Sequence, residues 1–200
     1  MAKTRGDAAD AQRRRILDAA EAVLLRHGPS KTTVVDVARE IGQSHASLYR
    51  YFAGKSELVD ALCERWLETV TAPLEPIAGG PGTASDRLRR WLMALFEIKL
   101  RKVTADPEHF ATYHAIAGEA HDVVARHMTW MIGQVESIIA SGVQSGEFPP
   151  TTEPRRAAQT ILNASIRFHH PALLAKPATP PTVEEAEDVF ALLVDGLKAG

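Results

Sequence analysis

Apolar residues recur at three- and four-residue spacing along most of this chain, and no run alternates with period two over β-branched residues. A chain so patterned has nothing to build a sheet from and must pack helix on helix. Glycine and proline mark where the helices stop. In the first helical stretch, residues 7–27, Ile16, Ala19, Ala20, Val23 and Leu24 share one face, and Gly28-Pro29 ends it. Short helices are predicted at about 34–41, capped by Thr32 or Thr33, and at about 44–51, capped by Ser44, with Gly42 between them. A fourth starts near Lys55 and stops at Pro73 or Pro76, and residues 77–83 read as a loop. Five more follow at about 85–103, 107–118, 121–145, 152–170 and 182–198. Asp106-Pro107 opens the second of these, Thr152 caps the fourth, and the capping box Thr182 to Glu185 opens the last. Residues 171–181 are read as a connector. The expectation is an all-α protein of nine helices.

A chain of 200 residues with 45% hydrophobic and 24% charged residues suits one globular domain or two small ones. Cys63 is the only cysteine, so an intrachain disulfide and a cysteine-only metal site are excluded and a reducing compartment is expected. The first fifteen residues lack the apolar run of a signal peptide, and no apolar stretch is long enough to span a bilayer. A cytoplasmic protein without membrane contact is expected. Charge is uneven: residues 1–55 carry ten Lys or Arg against six Asp or Glu, a net of +4, and the remainder nets −6. A basic head on an acidic body fits a protein whose one end meets phosphate.

The segment from Thr32 to Lys55, TTVVDVAREIGQSHASLYRYFAGK, carries the chemistry. Two short helices joined by a tight glycine turn are the sequence form of a helix-turn-helix, here at about 32–51. Val34, Val37, Ala38 and Ile41 pack the first short helix, and Leu48 and Phe52 anchor the second. Gln43, Ser44, His45, Ala46, Ser47, Tyr49 and Tyr51 are left largely outward. Small and polar residues at the start of such a helix let it enter the major groove and reach base edges.

This stretch resembles the tetracycline-repressor (TetR) family. The matching features are the Thr-Thr opening, Asp-Val-Ala, Ile-Gly at the turn, Leu-Tyr-Arg-Tyr-Phe, and Lys55 three residues after Phe52. Arg15-Ile-Leu-Asp-Ala-Ala and His27-Gly28 match that family's first helix, and Ser141 to Phe148 looks like its junction before the penultimate helix. The resemblance implies that His45, Ala46 and Ser47 contact bases and that Thr33 approaches backbone or bases. It also implies that Tyr49 and Lys55 contact phosphate, with Tyr51 a further contact. Arg50 either contacts phosphate or solvates the helix. Gly54 departs from the family, which often has a Ser or Asn-like cap there, at a cost of a few tenths of a kcal/mol.

The resemblance further implies a DNA-binding domain over residues 1–55 and an effector-binding and dimerisation domain over residues 56–200. In the family, middle helices enclose a ligand. Trp66, Trp91, Phe96, Phe110, Tyr113, His114, Met128, Met131 and Phe168 are the large residues able to line such a cavity. The last two helices dimerise, which points to Ala158, Ile161, Leu162 and Ser165 with Val189, Leu192, Leu193 and Leu197 as an isologous interface. The expected partners are operator DNA, a second copy of the chain and a small-molecule effector that releases a repressor. Eight histidines suggest metal sensing as an alternative, but His109, His114, His121, His127, His169 and His170 fit no compact ligand spacing. No cofactor is expected. A helical small-molecule carrier or enzyme is the other alternative, although no nucleophile elbow, phosphate loop or His-Glu-x-x-His pair is present, and Cys63 reads as buried and inert.

Overall fold

Each helix begins where a cap or a proline permits it. In the computed structural model residues 2–175 and 180–199 are described. They form α1 (Ala2–His27), α2 (Val34–Glu40), α3 (His45–Leu48), α4 (Lys55–Thr71), α5 (Glu75–Ala78), α6 (Ala84–Ala105), α7 (Pro107–Ala117), α8 (His121–Gln144), α9 (Pro154–Ala164), α10 (Pro171–Ala175) and α11 (Val183–Ala199). Turns of 3-10 helix stand at Pro29–Lys31 and Ile166–Phe168. Among the described residues there is no strand.

The eleven helices exceed the nine expected because two short ones begin beside prolines that the sequence pattern marks only as stops. Pro76 sits in the first turn of α5 and Pro171 opens α10, where a missing N–H costs nothing. Residues 176–179 of the expected connector lie outside the described residues. The helix expected from Thr152 to Pro171 is shorter. It starts at Pro154, and its cap residue Glu153 makes no side-chain cap bond. It ends at Ser165, whose hydroxyl donates to the Ile161 carbonyl at 2.7 Å, and the chain tightens into the 3-10 turn. The helix expected at about 44–51 is also shorter. It is regular only to Leu48, after which the Tyr51 and Phe52 amides both donate back to the Leu48 carbonyl.

The chain divides into two compact units, residues 1–66 with 108–124, and residues 67–107 with 125–200. In the first, Ile16, Ala20, Val23 and Leu24 of α1 are buried together with Val34, Val37 and Ala38 of α2 and with Leu48 and Phe52. Leu58, Leu62 and Trp66 of α4 and Phe110, Tyr113 and Ile116 of α7 complete this core. Gly28 ends α1 at φ 76°, and the buried Thr32 hydroxyl donates back to its carbonyl at 3.0 Å.

In the second unit α6 and α8 run antiparallel. Arg87 donates to the Ser141 hydroxyl at 2.6 Å, and the Glu147 carboxylate accepts from the Ala84 and Ser85 amides at 2.7 and 2.9 Å. Glu147 thus satisfies two of the free amides at the start of α6, alongside the Thr83 cap. The Ser141 to Phe148 junction therefore has a packing explanation. Gly146 turns the chain at φ 76°, and Gly142 lies directly under the buried Phe148 ring. The core of this unit joins α6, α8, α9 and α11 through Leu88, Trp91, Leu95, Met131, Ile138, Ile161, Leu162, Phe190 and Val194.

Candidate nucleic-acid interface

The outward surface of the first unit is set by two caps and a turn. Thr33 caps α2 by accepting from the Asp36 amide at 3.2 Å, and its own hydroxyl donates to Asp36 Oδ2 at 2.6 Å. Gly42 takes φ 64°, which lets the Gln43 amide donate to the Ala38 carbonyl at 2.9 Å and reverses the chain in a single turn. Ser44 then caps α3, accepting from the Ser47 amide at 3.3 Å. Leu48 and Phe52 are 1% exposed, so both anchors face inward as expected. Arg13 lies over the Phe52 ring at 4.8 Å and closes that side.

Ser44, His45, Ala46, Tyr49 and Arg50 are exposed, and His45 meets the Tyr49 edge one turn on, at 6.4 Å between ring centres. Gln43, Ser47, Tyr51, Lys55 and Thr33 are half-buried. Several of these already have partners within the unit. Gln43 accepts from Gln12 at 3.1 Å, Ser47 accepts from Arg50 at 3.4 Å, and Lys55 pairs with Glu119 at 3.8 Å. Three of the expected contacts thus have competitors inside the protein. Val35, 43% exposed in α2, is an apolar group on this unit that sequence reasoning passed over. The doublet Val34-Val35 was the signal, because adjacent helical residues cannot both face one core. Gly54 keeps a supported helix start, since Glu57 accepts from the Ala53 amide at 2.6 Å.

Behind this surface α1, α4 and α7 are tied by a polar network. Arg65 donates to Asp18 at 2.6 Å and to the Leu17 carbonyl at 3.1 Å, and it pairs with Glu21. Tyr113 also donates to Glu21. Burial first, and then Glu21, push the Tyr113 hydroxyl up, so it remains a donor. Trp66 stacks on Tyr113 at 5.2 Å, and His109 stacks on Tyr113 at 5.0 Å. Cys63 is fully buried, and burial, aided by Asp60 and Glu64, pushes its thiol up to about 11, which makes it a poor nucleophile.

The residues expected to line an effector cavity fall into three groups. Trp66, Phe110 and Tyr113 pack on one another in the first unit. Trp91, Phe96, Met131 and Phe168 lie in the core of the second, each at most 4% exposed. His114 and Met128 are exposed. Of the residues expected at a dimer face, Ala158, Leu162 and Ser165 are buried within the second unit. Ile161, although 3% exposed, borders with Leu193 and Leu197 a groove of about 420 Å³ between α9 and α11. Val189 is half-buried, and Leu192 is 74% exposed.

The second unit also brings together a polar group of Lys99, His127 and His169, of which Lys99 and His169 are buried and His127 half-buried. Lys99 of α6 is 5% exposed, and burial alone pushes its ammonium down to about 8, with no carboxylate acting on it. His127 of α8 is pushed down to about 4 by burial, with Lys99 and His169 adding to it, and its Nε2 atom is buried without a partner. Burial likewise takes His169 down to about 4, and its Nε2 donates to the Leu162 carbonyl at 2.8 Å. A signal for Lys99 existed: it continues the buried stripe Leu88, Leu92, Leu95 of α6 at helical spacing. Among the described residues no three His, Cys, Asp or Glu gather to hold a metal, and no helix is long and apolar enough to cross a membrane.

Comparison with known proteins places this geometry. The sequence profile for bacterial regulatory proteins of the tetR family matches residues 16–62, and the profile for the tetracyclin repressor-like C-terminal domain matches residues 84–190. The HTH-type transcriptional repressor KstR2 of Mycobacterium tuberculosis is 34% identical over 88 residues, 44% of each chain. The HTH-type transcriptional regulator TtgR of Pseudomonas putida is 33% identical over 69 residues, 34% of this chain and 33% of that one. The chain thus matches less than half the length of these relatives. A solved transcriptional regulator from Pseudomonas aeruginosa superposes with a TM-score of 0.71 at 20% identity, over 96% of this chain and 92% of that one, a likeness of fold.

Proposed function

The chain belongs to the tetR family of bacterial regulatory proteins, and we propose that it works in the cytoplasm as a homodimeric repressor of transcription, released from its operator by a small molecule. The observation that carries this is the short Ser44-capped helix that seats Leu48 and Phe52 inward and leaves His45, Ala46, Tyr49 and Arg50 in solvent. Small and polar side chains at the start of such a helix can enter a major groove and reach base edges. Residues 1–55 read DNA, and residues 56–200 bind effector and dimerise. His45, Ala46 and Ser47 approach base edges. Tyr49, Tyr51, Arg50 and Lys55 take phosphate oxygens, and Thr33, Gln43 and Ser44 hold the helix start at the duplex. Repression, as opposed to activation, is supported by the name KstR2 bears in its own organism.

The second copy covers the α9–α11 groove. Leu192, 74% exposed, is the anchor, and covering it is worth about 1.5–3 kcal/mol per copy. Val189 stands one turn before it on α11, Leu193, Leu197 and Ile161 line the groove, and Gly196 and Ala157 there allow close approach. A two-fold pair then presents two reading helices to successive major grooves, about one DNA turn apart or somewhat more. α4 begins at the DNA-reading surface with Lys55 and runs on to Thr71, so it is the element through which an effector acts on spacing.

The test is fluorescence anisotropy on the DNA upstream of the chain's own gene, over a salt series, with Tyr49→Ala beside the wild type. Saturable binding that survives competitor DNA, weakens with salt and falls about tenfold in the variant is expected. If neither that DNA nor selection from random duplexes yields a specific site, the repressor reading fails.

A further inference from the structure

We propose that Lys99 and His127 form the anion-anchoring end of the effector site, and that the effector is an apolar organic monoanion, a carboxylic acid with a hydrocarbon or aromatic body. This inference rests on the reading that the second unit binds an effector, and it adds the ligand's chemistry.

Lys99 is the starting point. It is 5% exposed, and no acid acts on it. Placed among Leu95, Phe96 and the other apolar groups of α6, it stabilises nothing, and an apolar side chain there would pack at lower cost. A buried cation without a counterion is the residue an anionic ligand needs and the fold does not.

The opposing helix supplies the second group. α6 and α8 are pinned by the Arg87 to Ser141 hydrogen bond of 2.6 Å. From that bond Lys99 lies twelve residues on along α6 and His127 fourteen residues back along α8. Those steps are about 18 and 21 Å of antiparallel helix, so the two side chains stand nearly level. The charge of Lys99 acts on both His127 and His169, which places all three in one neighbourhood. His127 Nε2 is buried without a hydrogen-bond partner, a group whose desolvation goes uncompensated until something binds. His169 is already satisfied by the Leu162 carbonyl, so it orients and does not grip.

Charge and walls define the ligand. At neutral pH both imidazoles are uncharged and Lys99 carries the only formal charge of the three, which matches one negative charge and not the two of a phosphate monoester. Phe96, one turn before Lys99, meets the Phe168 edge at 5.6 Å, and Phe168 meets Phe190 at 5.3 Å. Apolar walls of this kind favour contact with a hydrocarbon body and offer no hydrogen bond to a sugar or a nucleotide.

The experiment is calorimetric titration of the full-length protein, without DNA, using octanoate, dodecanoate, 2-naphthoate, dodecan-1-ol and inorganic phosphate. At least one of the acids binds saturably and about tenfold more tightly than the alcohol, and phosphate does not displace it. Lys99→Met removes that preference while leaving alcohol binding in place, and His127→Leu weakens the acid by a smaller factor. In nuclear magnetic resonance of labelled lysine, the Lys99 ammonium titrates at higher pH once the acid is bound. The proposal is overturned if no acid binds below about 1 mM, if Lys99→Met binds the acid as the wild type does, if phosphate displaces it, or if an acid that binds leaves operator occupancy unchanged. The DNA and acid titrations of the wild-type protein separate the two readings. Normal acid binding without any specific DNA site would sink the repressor reading alone, and DNA binding without acid binding would sink this one alone.

Discussion

The same substitution made nine residues apart in α8 should change stability in opposite directions. A Cβ on Gly142 would stand 2.3 and 2.4 Å from two carbons of the Phe148 ring and 2.8 Å from the Ala84 Cβ. Carbon atoms in contact sit at about 3.5–4.0 Å, so the overlap with the ring exceeds an ångström. Neither neighbour has room to withdraw, since Phe148 is 1% exposed and Ala84 is 3% exposed at the start of α6. Overpacking of this kind costs about 1–3 kcal/mol, and two ring carbons struck together argue for the upper end. Alanine's helix preference over glycine returns about 1 kcal/mol, leaving Gly142→Ala about 2 kcal/mol less stable than the wild type. A Cβ on Gly133 meets nothing within 4 Å, so Gly133→Ala keeps the helix preference alone and should gain about 0.5–1 kcal/mol. The two variants should differ by about 3 kcal/mol, or roughly 6–10 °C in Tm for a chain of this length. Guanidinium unfolding followed by helical circular dichroism reads the gap, at one protein concentration because dimerisation contributes. Gly142→Ala as stable as Gly133→Ala would refute the claim that the Phe148 ring is locked onto α8.

Two further predictions concern charges. Glu119→Gln should raise DNA affinity about two- to fivefold, because it frees Lys55 from a 3.8 Å exposed pair worth at most about 1 kcal/mol; anisotropy at about 0.1 M salt checks it, and unchanged or weaker binding would remove Lys55 from the phosphate contacts. The ammonium of Lys99 sits at about 8 in the folded protein against an ordinary value of 10.5, pushed down by burial. The folded state therefore releases this proton before the unfolded chain does. The burden on stability is full below pH 8 and is relieved as pH rises from 8 to 10.5, by up to about 3 kcal/mol. Chemical denaturation of wild type and Lys99→Met across that range should show a rise present only in the wild type, and a Lys99→Met curve that climbs equally would trace the rise to another group.

What could be read without coordinates was local. The Ser44 cap, the Gly42 turn and the inward pair Leu48 and Phe52 each follow from neighbours within a few residues, and the helix-turn-helix stands where its sequence pattern puts it. The pattern is ambiguous where two answers satisfy the same period. Ala158, Leu162 and Ser165 form one stripe and Ala157 and Ile161 another. Only packing against the rest of the unit decides that the first turns wholly inward. Prolines at 76 and 171 open short helices as readily as they close long ones, since the first turn needs no N–H from them.

Lys99 is the instructive case, because its position was legible and its meaning was not. A lysine at the place where the stripe Leu88, Leu92, Leu95 calls for an apolar group is a conflict between local chemistry and burial. Such a conflict persists in a folded protein when something outside the fold resolves it. The aromatic residues drew attention as pocket material, yet Trp91, Phe96 and Phe168 would be buried in this core with or without a ligand. Their burial therefore does not discriminate between a filled core and a binding site. An ammonium with no acid acting on it and an imidazole nitrogen without a partner, on opposing helices, are the two groups there that an anion would satisfy.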